Sequence, residues 1–488
     1  MSGGSRADRR WTVQRVGLVL GPCLFALLLA LPTGSLAGEP KRLAALALWM
    51  ACWWATEAAP LAAPALLPLV ILPLLAVRPV AAVAPSYGND MVFLFLGGFV
   101  LALAVERSGL HLRIALAVLD LVGPSPRRQL WGFLAVTAAA SMWLSNTATT
   151  LMMLPIASGV AERLGGGRTA TRLYLAIAYG ASIGGMGTLV GTPPNLVLAG
   201  MAPSLVEGLP PLTFAGWMVF GLPVVLAMLP AAGLLLGRGL AGGAVNAAGL
   251  ARERAALGPV RPAERRAAVL FGLTALAWVT RSGFELGGLS LPGWAGLLED
   301  PSAVSDAVPA VAAAVLATLL PSGEPGGRRL LSWEEVARGV PWGVLLLFGG
   351  GFALADAVRA TALDGWLAGR LAGLVGWPLP AVVLVVCAMT TAATELTSNT
   401  ATATLLMPIM AALAGALGQP AYLLMVPAAL SASCAFMLPV ATPPNAIVIG
   451  SGRVTARELC REGLWMNLMG AVLITTLVLT LGRLTLPQ

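Results

Sequence analysis

Apolar stretches long enough to cross roughly 30 Å of hydrocarbon recur from one end of this 488-residue chain to the other. They lie near 15–33, 43–59, 61–77, 91–108, 171–199, 214–237, 267–281, 303–320, 341–369, 421–450 and 464–484. Backbone groups in hydrocarbon must find their partners within the protein, so runs of this length are helices. The weakest of them, 267–281, is short and ends at Arg281. Two further apolar segments, 129–164 and 379–418, are each interrupted by Ser-Asn-Thr. Each of these two reads either as two short spans or as one re-entrant hairpin.

A chain that is 58% apolar and 11% charged, with a mean hydropathy of +0.84, is an all-α polytopic membrane protein rather than a soluble one. Its net charge of +8 comes from arginines in short clusters between apolar segments, as in cytoplasmic loops, and makes no nucleic-acid surface. The five cysteines (Cys23, Cys52, Cys387, Cys434, Cys460) form no CxxC and mostly lie in apolar runs, which makes them packing residues. Residues 16–33 lead to no small-x-small cleavage pattern and read as the first membrane helix.

Charge placement favours hairpins over extra spans. With both interrupted segments re-entrant, Arg6, Arg9, Arg10 and Arg15 start inside. The clusters Arg107/Arg113/Arg127/Arg128, Arg163/Arg168/Arg172, Arg252/Arg254/Arg261/Arg265/Arg266, Arg328/Arg329/Arg338 and Arg453/Arg457/Arg461 then fall inside too. The opposite loops, 200–213 and 282–302, hold Glu207, Glu285, Glu299 and Asp300 and no basic residue. That is the positive-inside pattern, with Lys41 and Arg42 as the main exception. Five crossings separate the hairpins, so one enters from the cytoplasm and the other from outside. The expected architecture is about 11 transmembrane helices plus two re-entrant hairpins in an inverted repeat, with the N-terminus in the cytoplasm of a cell-membrane protein.

The repeat is also legible in residues. "FLFLGGFVLALAVERSGL" (93–110) corresponds to "LLLFGGGFALADAVRATAL" (345–363), "SNTAT" at 145–149 to "SNTAT" at 398–402, and "GTPPN" (191–195) to "ATPPN" (441–445). Two consecutive prolines remove backbone donors and push the preceding residue out of helical geometry, so the helix breaks there. Broken backbone at membrane depth is tolerated where it lines a cavity or is buried in protein, and transporters build sites from such half-helices. Half-helices starting at Asn146, Asn399, Pro194 and Pro444 would offer free N–H groups to an anion. Carbonyls freed at Ser141, Ser145, Gly191, Thr394, Thr397 and Ala441 would suit a hard cation such as Na⁺. One Ser-Asn-Thr or one Pro-Pro-Asn alone carries little weight, since serine and threonine commonly bond back to the preceding turn. Two of each in register carry much more.

With "SMWLSNTATTLMMLPI", "TELTSNTATATLLMPI", the two TPPN motifs, "ATEAAPLAAPALLPL" (55–69) and "NDMVFLFLGGFVLALAVERSGLHLRIAL" (89–116), nearly the whole chain resembles the divalent anion/sodium symporter family. That family includes sodium-coupled dicarboxylate, citrate and sulfate transporters. The resemblance implies a homodimer in the lipid bilayer whose protomers each move a transport domain against a scaffold, as an elevator. It divides the chain into N-terminal scaffold helices (1–127), a transport part (128–238), a cytoplasmic connector (239–266), further scaffold helices (267–376) and a second transport part (377–488). Carried over by matching positions, Ser141, Ser145, Asn146 and Gly191 would hold one sodium ion, and Thr394, Thr397, Asn399 and Ala441 another. The substrate carboxylates would rest on Asn146, Thr147, Asn399 and Thr400, with Thr192, Pro193, Thr442 and Pro443 closing the site. The expected cargo is a C4-dicarboxylate such as succinate, malate or fumarate, carried with at least two Na⁺. Citrate or sulfate, and proton-coupled or exchange transport of the same anions, are the alternatives.

Between Gln129 and Glu162, Leu173 and Gly237, and Leu371 and Gly452 there is no Arg, Lys or His. Helix dipoles supply only about half a charge each, so a desolvated dianion in these segments needs cations from solution. Intramembrane carboxylates are functional by default, which leaves Glu395 either as a proton-coupling group or as an anchor near the hairpin tip, and marks Glu106 as well. An intramembrane enzyme lacks its parts: His111 is the only histidine, and neither an HExxH motif nor a buried Asp pair is present. Hairpins entering from both sides imply alternating access and disfavour a channel. The Gly-rich "LGGGRT" (164–169) has no P-loop lysine and reads as a turn.

Overall fold

Every apolar run becomes helix, and glycines or prolines bound many of those helices. The computed structural model describes residues 4–123, 125–163, 167–240, 254–286, 289–324 and 326–483. Arg252 and the part 241–253 of the expected connector lie outside the described residues, as do three residues of the Gly-rich turn, 164–166. The main helices are numbered here in chain order, leaving out short turns. The first half comprises α1 (Gly4–Ala30), α2 (Gly38–Thr56), α3 (Ala62–Leu74), α4 (Asp90–Ser108), α5 (Leu110–Val122), α6 (Pro126–Ser141), α7 (Asn146–Arg163), α8 (Gly167–Gly185), α9 (Pro193–Leu205) and α10 (Phe214–Leu236). The second comprises α11 (Pro262–Thr280), α12 (Ala307–Leu319), α13 (Trp342–Ala360), α14 (Leu363–Leu371), α15 (Leu379–Thr394), α16 (Asn399–Leu417), α17 (Tyr422–Ser431), α18 (Pro443–Gly450) and α19 (Ala456–Leu477).

Six helices among the described residues are long and apolar enough to cross a membrane unaided, and one further pair passes only across a 115° bend. Three shorter apolar helices, α3, α12 and α17, fall below that length. One of the six is α16, the second arm of an interrupted segment, so five of the eleven expected runs hold such a helix; two of the others are continuous in hydropathy but broken in backbone. The run 171–199 is split into α8 and α9, and 421–450 into α17 and α18, both at the Thr-Pro-Pro-Asn motifs. The run 341–369, expected as one span, is also two helices, because Ala362 adopts a left-handed conformation (φ 55°) and turns the chain between α13 and α14. Its counterpart in the first half is Gly109 (φ 80°), between α4 and α5. The loop 282–302 holds a small antiparallel hairpin, Phe284–Leu286 with Leu289–Leu291, the one sheet among the described residues.

The halves are interleaved rather than side by side. Helix α12 packs on α4, and α3 packs on α13, so each half lends a helix to the other. Both crossings are closed by a glycine. A Cβ placed on Gly97 of α4 would come within 2.3 Å of the Ala310 backbone of α12, and one on Gly350 of α13 within 2.3 Å of the Ala65 backbone of α3. Without a hydrophobic force between helices in lipid, such close backbone approach supplies the dispersion contact that holds them.

Several arginines of the expected cytoplasmic clusters make ion pairs. Arg107 pairs with Glu335 (2.6 Å), Arg113 with Glu264 (3.0 Å), Arg254 with Asp120 (2.8 Å) and Arg261 with Glu324 (3.3 Å), joining the ends of α4 and α5 to α11 and its flanking loops. Burial alone would raise the Glu264 carboxyl, but hydrogen bonds from Arg261 and Arg113 and their charges outweigh it and hold the group below the usual carboxylate value. Elsewhere, Arg172 of α8 meets Glu462 of α19 at 3.1 Å with both side chains buried.

Candidate functional site

Each Ser-Asn-Thr sits where a helix ends and another begins in the opposite sense. In the first half α6 stops at Ser141 and α7 starts at Asn146; in the second, α15 stops at Thr394 and α16 starts at Asn399. The turn between them is tied the same way twice. Ser141 Oγ donates to Asn146 Oδ1 at 2.6 Å, and Thr394 Oγ1 donates to Asn399 Oδ1 at 2.7 Å. In each pair the hydroxyl is five residues before the asparagine, so the side chain that closes the tip is specified by spacing.

The Thr-Pro-Pro-Asn breaks also match. Both half-helices begin at the first proline, Pro193 and Pro443, one residue earlier than expected; a helix tolerates proline at its first position, where the missing N–H has no partner in any case. Thr192 and Thr442 precede them in extended conformation (φ −148° and −140°). The asparagine of each motif was given no role by sequence reasoning, yet it pins the break. Asn195 Nδ2 donates to Gly185 O (3.0 Å) and Thr188 O (2.7 Å), and Asn445 Nδ2 donates to Ala435 O (2.9 Å) and Leu438 O (3.0 Å). The signal was present in the sequence as an asparagine at the same place in both motifs.

These four breaks share one cavity of about 1610 Å³. It is lined by Ser145, Asn146, Thr147, Gly191, Thr192 and Pro193 of the first half, and by Ser398, Asn399, Thr400, Ala441, Thr442 and Pro443 of the second. All eight positions expected to hold the anion are therefore together, as are Ser145, Gly191 and Ala441 of the expected cation ligands. Ser141 and Thr394 lie fully buried behind the wall, each on its asparagine. Thr397 turns its hydroxyl to Ala393 O (3.0 Å) and Thr402 Oγ1 (2.6 Å) rather than to the cavity. The Ser145 carbonyl, expected to be free, accepts the Thr149 N–H at 3.0 Å, because it is the first acceptor of α7. Close approach at the first tip depends on two glycines: a Cβ on Gly191 would fall 2.5 Å from Gly185 O, and one on Gly185 would fall 2.9 Å from Asn146 Oδ1.

Among the described residues no lysine or arginine lines this cavity; its titratable lining residues are Glu57, Glu106 and His111. Burial pushes the His111 imidazole below its ordinary value, against smaller upward contributions from the Val105 carbonyl and Glu106. It therefore adds no standing positive charge at neutral pH. Phe95, Phe99, Val190 and Val440 give the same cavity apolar walls.

Glu395, left open above as a proton-coupling group or an anchor, has anchoring geometry. It is buried, and its oxygens accept the Met437 N–H (2.8 Å), the Leu438 N–H (2.8 Å) and Asn467 Nδ2 (2.7 Å). It therefore holds the unwound chain between α17 and α18. Its position in the first half is occupied by Met142, whose carbonyl instead accepts the Thr188 hydroxyl.

The model of a family described as the sodium:sulfate symporter transmembrane region matches residues 12–486. A sodium-dependent dicarboxylate transporter, SdcS, of Staphylococcus aureus (strain bovine RF122 / ET3-1) is 39% identical over 486 residues, covering 95% of this chain and 90% of its own. The SdcS of Staphylococcus saprophyticus is 40% identical over 486 residues, covering 95% and 91%. Among solved structures, the YdaH transporter of Alcanivorax borkumensis superposes with a TM-score of 0.58 at 15% identity, over 84% of this chain and 88% of that one. MtrF of Neisseria gonorrhoeae gives 0.57 at 12% identity, over 82% of each. These two likenesses concern the fold alone.

Proposed function

The chain belongs to the sodium:sulfate symporter family, and on that premise we propose that it carries a C4-dicarboxylate dianion across the cell membrane together with sodium ions. The observation that carries this reading is the single cavity lined by both Ser-Asn-Thr turns and both Thr-Pro-Pro starts, without a lysine or arginine. Two half-helix starts, at Asn146 and Asn399, give two seats for two carboxylates, and the relatives' names point to the same substrate class. Their electropositive ends are too weak to hold a desolvated dianion alone. Sodium bound behind the tips, on the Ser141–Asn146 and Thr394–Asn399 pairs and the carbonyls around Gly191 and Ala441, supplies the missing charge and orders the broken backbone. Each ligand then raises the other's affinity by the same factor.

Alternating access follows from where the site lies. Helices α6 to α10 and α15 to α19 carry the cavity's polar wall and form the moving part, while α1 to α5 and α11 to α14 form the scaffold. Counting the broken runs as whole spans gives eleven crossings and two oppositely entering hairpins, with the N-terminus inside. A homodimer would fix the scaffolds against each other while each transport part moves as an elevator.

Binding to purified protein tests the reading. Succinate should bind in Na⁺ and on the order of a hundredfold more weakly when K⁺ or choline replaces it at matched ionic strength. Equal affinity in the two salts would sink sodium symport. Uptake into proteoliposomes should also decline as pH falls below the upper pKa of succinate, since only the dianion fills both seats; citrate and sulfate in the same assay decide the anion.

A further inference from the structure

A buried polar seam in the second half is used by nothing described so far. It runs between α15, α17 and α19. At one end Asn467 of α19 donates to Glu395 at 2.7 Å; at the other Thr475 Oγ1 donates to the Cys387 thiol at 3.6 Å. Glu395 and Cys387 are two turns apart beside α15, and so are Asn467 and Thr475 on α19, so the two helices face each other antiparallel along this line. Thr390 and Thr391 lie between the closures, one turn from Cys387 and one from Thr394. From α17, Ser431 comes up to the Cys387 thiol, and the carbonyl of the next residue, Ala432, lies 2.7 Å from Thr394 Oγ1.

The seam is buried and incompletely satisfied. Cys387, Thr390 and Ser431 are fully buried, and Ser433 and Thr391 nearly so. The hydroxyls of Thr390, Thr391 and Ser433 and the Oδ1 of Asn467 make no hydrogen bond among the described residues, and Ser431 reaches only the Cys387 thiol. Threonines elsewhere in the bundle avoid this by bonding back one turn, as Thr404 does to Thr400 O (2.8 Å) and Thr150 to Asn146 O (2.7 Å). Each buried polar atom left unpaired costs about 1–3 kcal/mol, so several together along one line call for an occupant. Nor is the seam needed to build a hairpin. The corresponding positions of the first half are Leu134, Thr137, Ala138, Ala181 and Ile183, which leaves Thr137 and the neighbouring Ser182 as the unpaired hydroxyls there.

We propose that this seam is a further cation site, separate from the two at the hairpin tips, in which Thr390, Thr391 and Ser431 offer hydroxyl oxygens to a sodium ion. Glu395, one turn from Thr391, is the nearby acidic group, and the unpaired Asn467 Oδ1 lies at the same end. Neutral oxygens around a hard monovalent ion are the chemistry of the tips repeated, but in one half only. The inference rests on the symport reading and has its own consequence. Two sodium ions and a dianion cross without net charge, whereas a third ion carries one positive charge inward per cycle.

Parallel uptake of radiolabelled sodium and succinate into proteoliposomes decides it. Wild-type protein should take up about three sodium ions per succinate, and an inside-negative potential should accelerate uptake. Thr390→Val, which keeps the shape and loses the hydroxyl, and Ser431→Ala should each lower the ratio to about two and abolish the response to potential. Thr390→Ser should keep the wild-type ratio, as should Thr137→Val in the first half. If Thr390→Val fails to fold, Ser431→Ala, the smaller change, carries the test. A wild-type ratio of two with uptake indifferent to potential would overturn the site and show the seam to hold water only. So would a ratio unchanged in both variants. Uptake that needs no sodium at all would instead strike the symport reading, and the two failures are distinguishable.

Discussion

The two hairpin tips present the same face to the cavity and are supported from behind by different chemistry. In front, Ser141 on Asn146 and Thr394 on Asn399 are interchangeable, and so are the hydrogen-bond pairs made by Asn195 and Asn445. Behind, the first tip leans on aromatic rings: Trp143 stacks parallel to Phe214 (5.8 Å between centroids) and Trp278 (6.3 Å) and meets Phe271 edge-on at 5.0 Å. The second tip has Leu396 at the corresponding position, 71% exposed, and instead buries the Glu395 carboxylate under three N–H donors. The site geometry was therefore kept in both halves while the means of holding it diverged. Function constrains the front of each tip, and only rigidity constrains the back.

If that is right, the largest effects are symmetric. Asn146→Ala and Asn399→Ala should each reduce uptake by about a hundredfold or more at equal surface expression, because each removes the side chain that both closes a tip and starts an anion-facing helix. Wild-type transport by either one would break the equivalence of the two halves at its strongest point.

Smaller effects should be one-sided. Glu395→Gln replaces one carboxylate oxygen by an NH2 group that cannot accept, so one of the Met437 and Leu438 N–H groups loses its partner. The change should cost about 2–4 kcal/mol of stability. It should also raise the sodium concentration for half-maximal uptake by about tenfold, since α17–α18 carries the second tip's carbonyls. Met142→Leu, at the matching position, should cost less than about 1.5 kcal/mol. Thermal unfolding and sodium titration of the two variants check this. Wild-type uptake that climbs steadily with acid, with the climb lost in Glu395→Gln, would replace the anchor by proton coupling.

The aromatic support gives the reverse asymmetry. Trp143→Ala should destabilise by about 2–3 kcal/mol, through lost burial and ring contacts, while Leu396→Ala stays within about 0.5 kcal/mol. The same stack joins the first tip to α10 and α11, which fall on opposite sides of the proposed division between moving and fixed parts. Trp143→Ala should therefore also change the rate of uptake more than the apparent affinity for succinate. A change confined to affinity would place Trp143 in the site rather than behind it.

What the sequence could disclose divides along the same line. The front of the site is written in short contiguous motifs, so both Ser-Asn-Thr turns and both Thr-Pro-Pro starts were legible to within one residue. Asn195 and Asn445 were visible but mute, because their partners, Gly185, Thr188, Ala435 and Leu438, are backbone carbonyls that no side-chain pattern marks. The crossing of α3 with α13 and of α12 with α4 was hidden for another reason. It is specified by glycines meeting alanines more than two hundred residues away, and hydropathy scores both as ordinary apolar helix. The stack around Trp143 likewise joins residues from three separate helical segments.

The smallest expected effect concerns the backbone turns that end α4 and α13. Gly109 and Ala362 occupy equivalent places, at φ 80° and 55°, and both send the chain from a long helix into a short one. A side chain in the left-handed region costs roughly 1–2 kcal/mol, so Ala362 carries strain that Gly109 escapes. Ala362→Gly relieves it and adds freedom to the unfolded chain worth roughly 0.4–1 kcal/mol, for a net gain of about 0.5–1 kcal/mol. Gly109→Ala runs the other way. A Cβ there would meet Arg261 Nη2 at 2.9 Å, the free-moving end of a long side chain that can shift, so its cost of about 1–2 kcal/mol comes mainly from the backbone. Transport should be unchanged in Ala362→Gly, since the turn lines no part of the cavity. Thermal-shift measurements on the two purified variants should therefore move in opposite directions by a few degrees. A lower melting temperature for Ala362→Gly would mean that the alanine methyl makes a packing contact worth more than the strain, and that the halves differ at this turn by selection rather than tolerance.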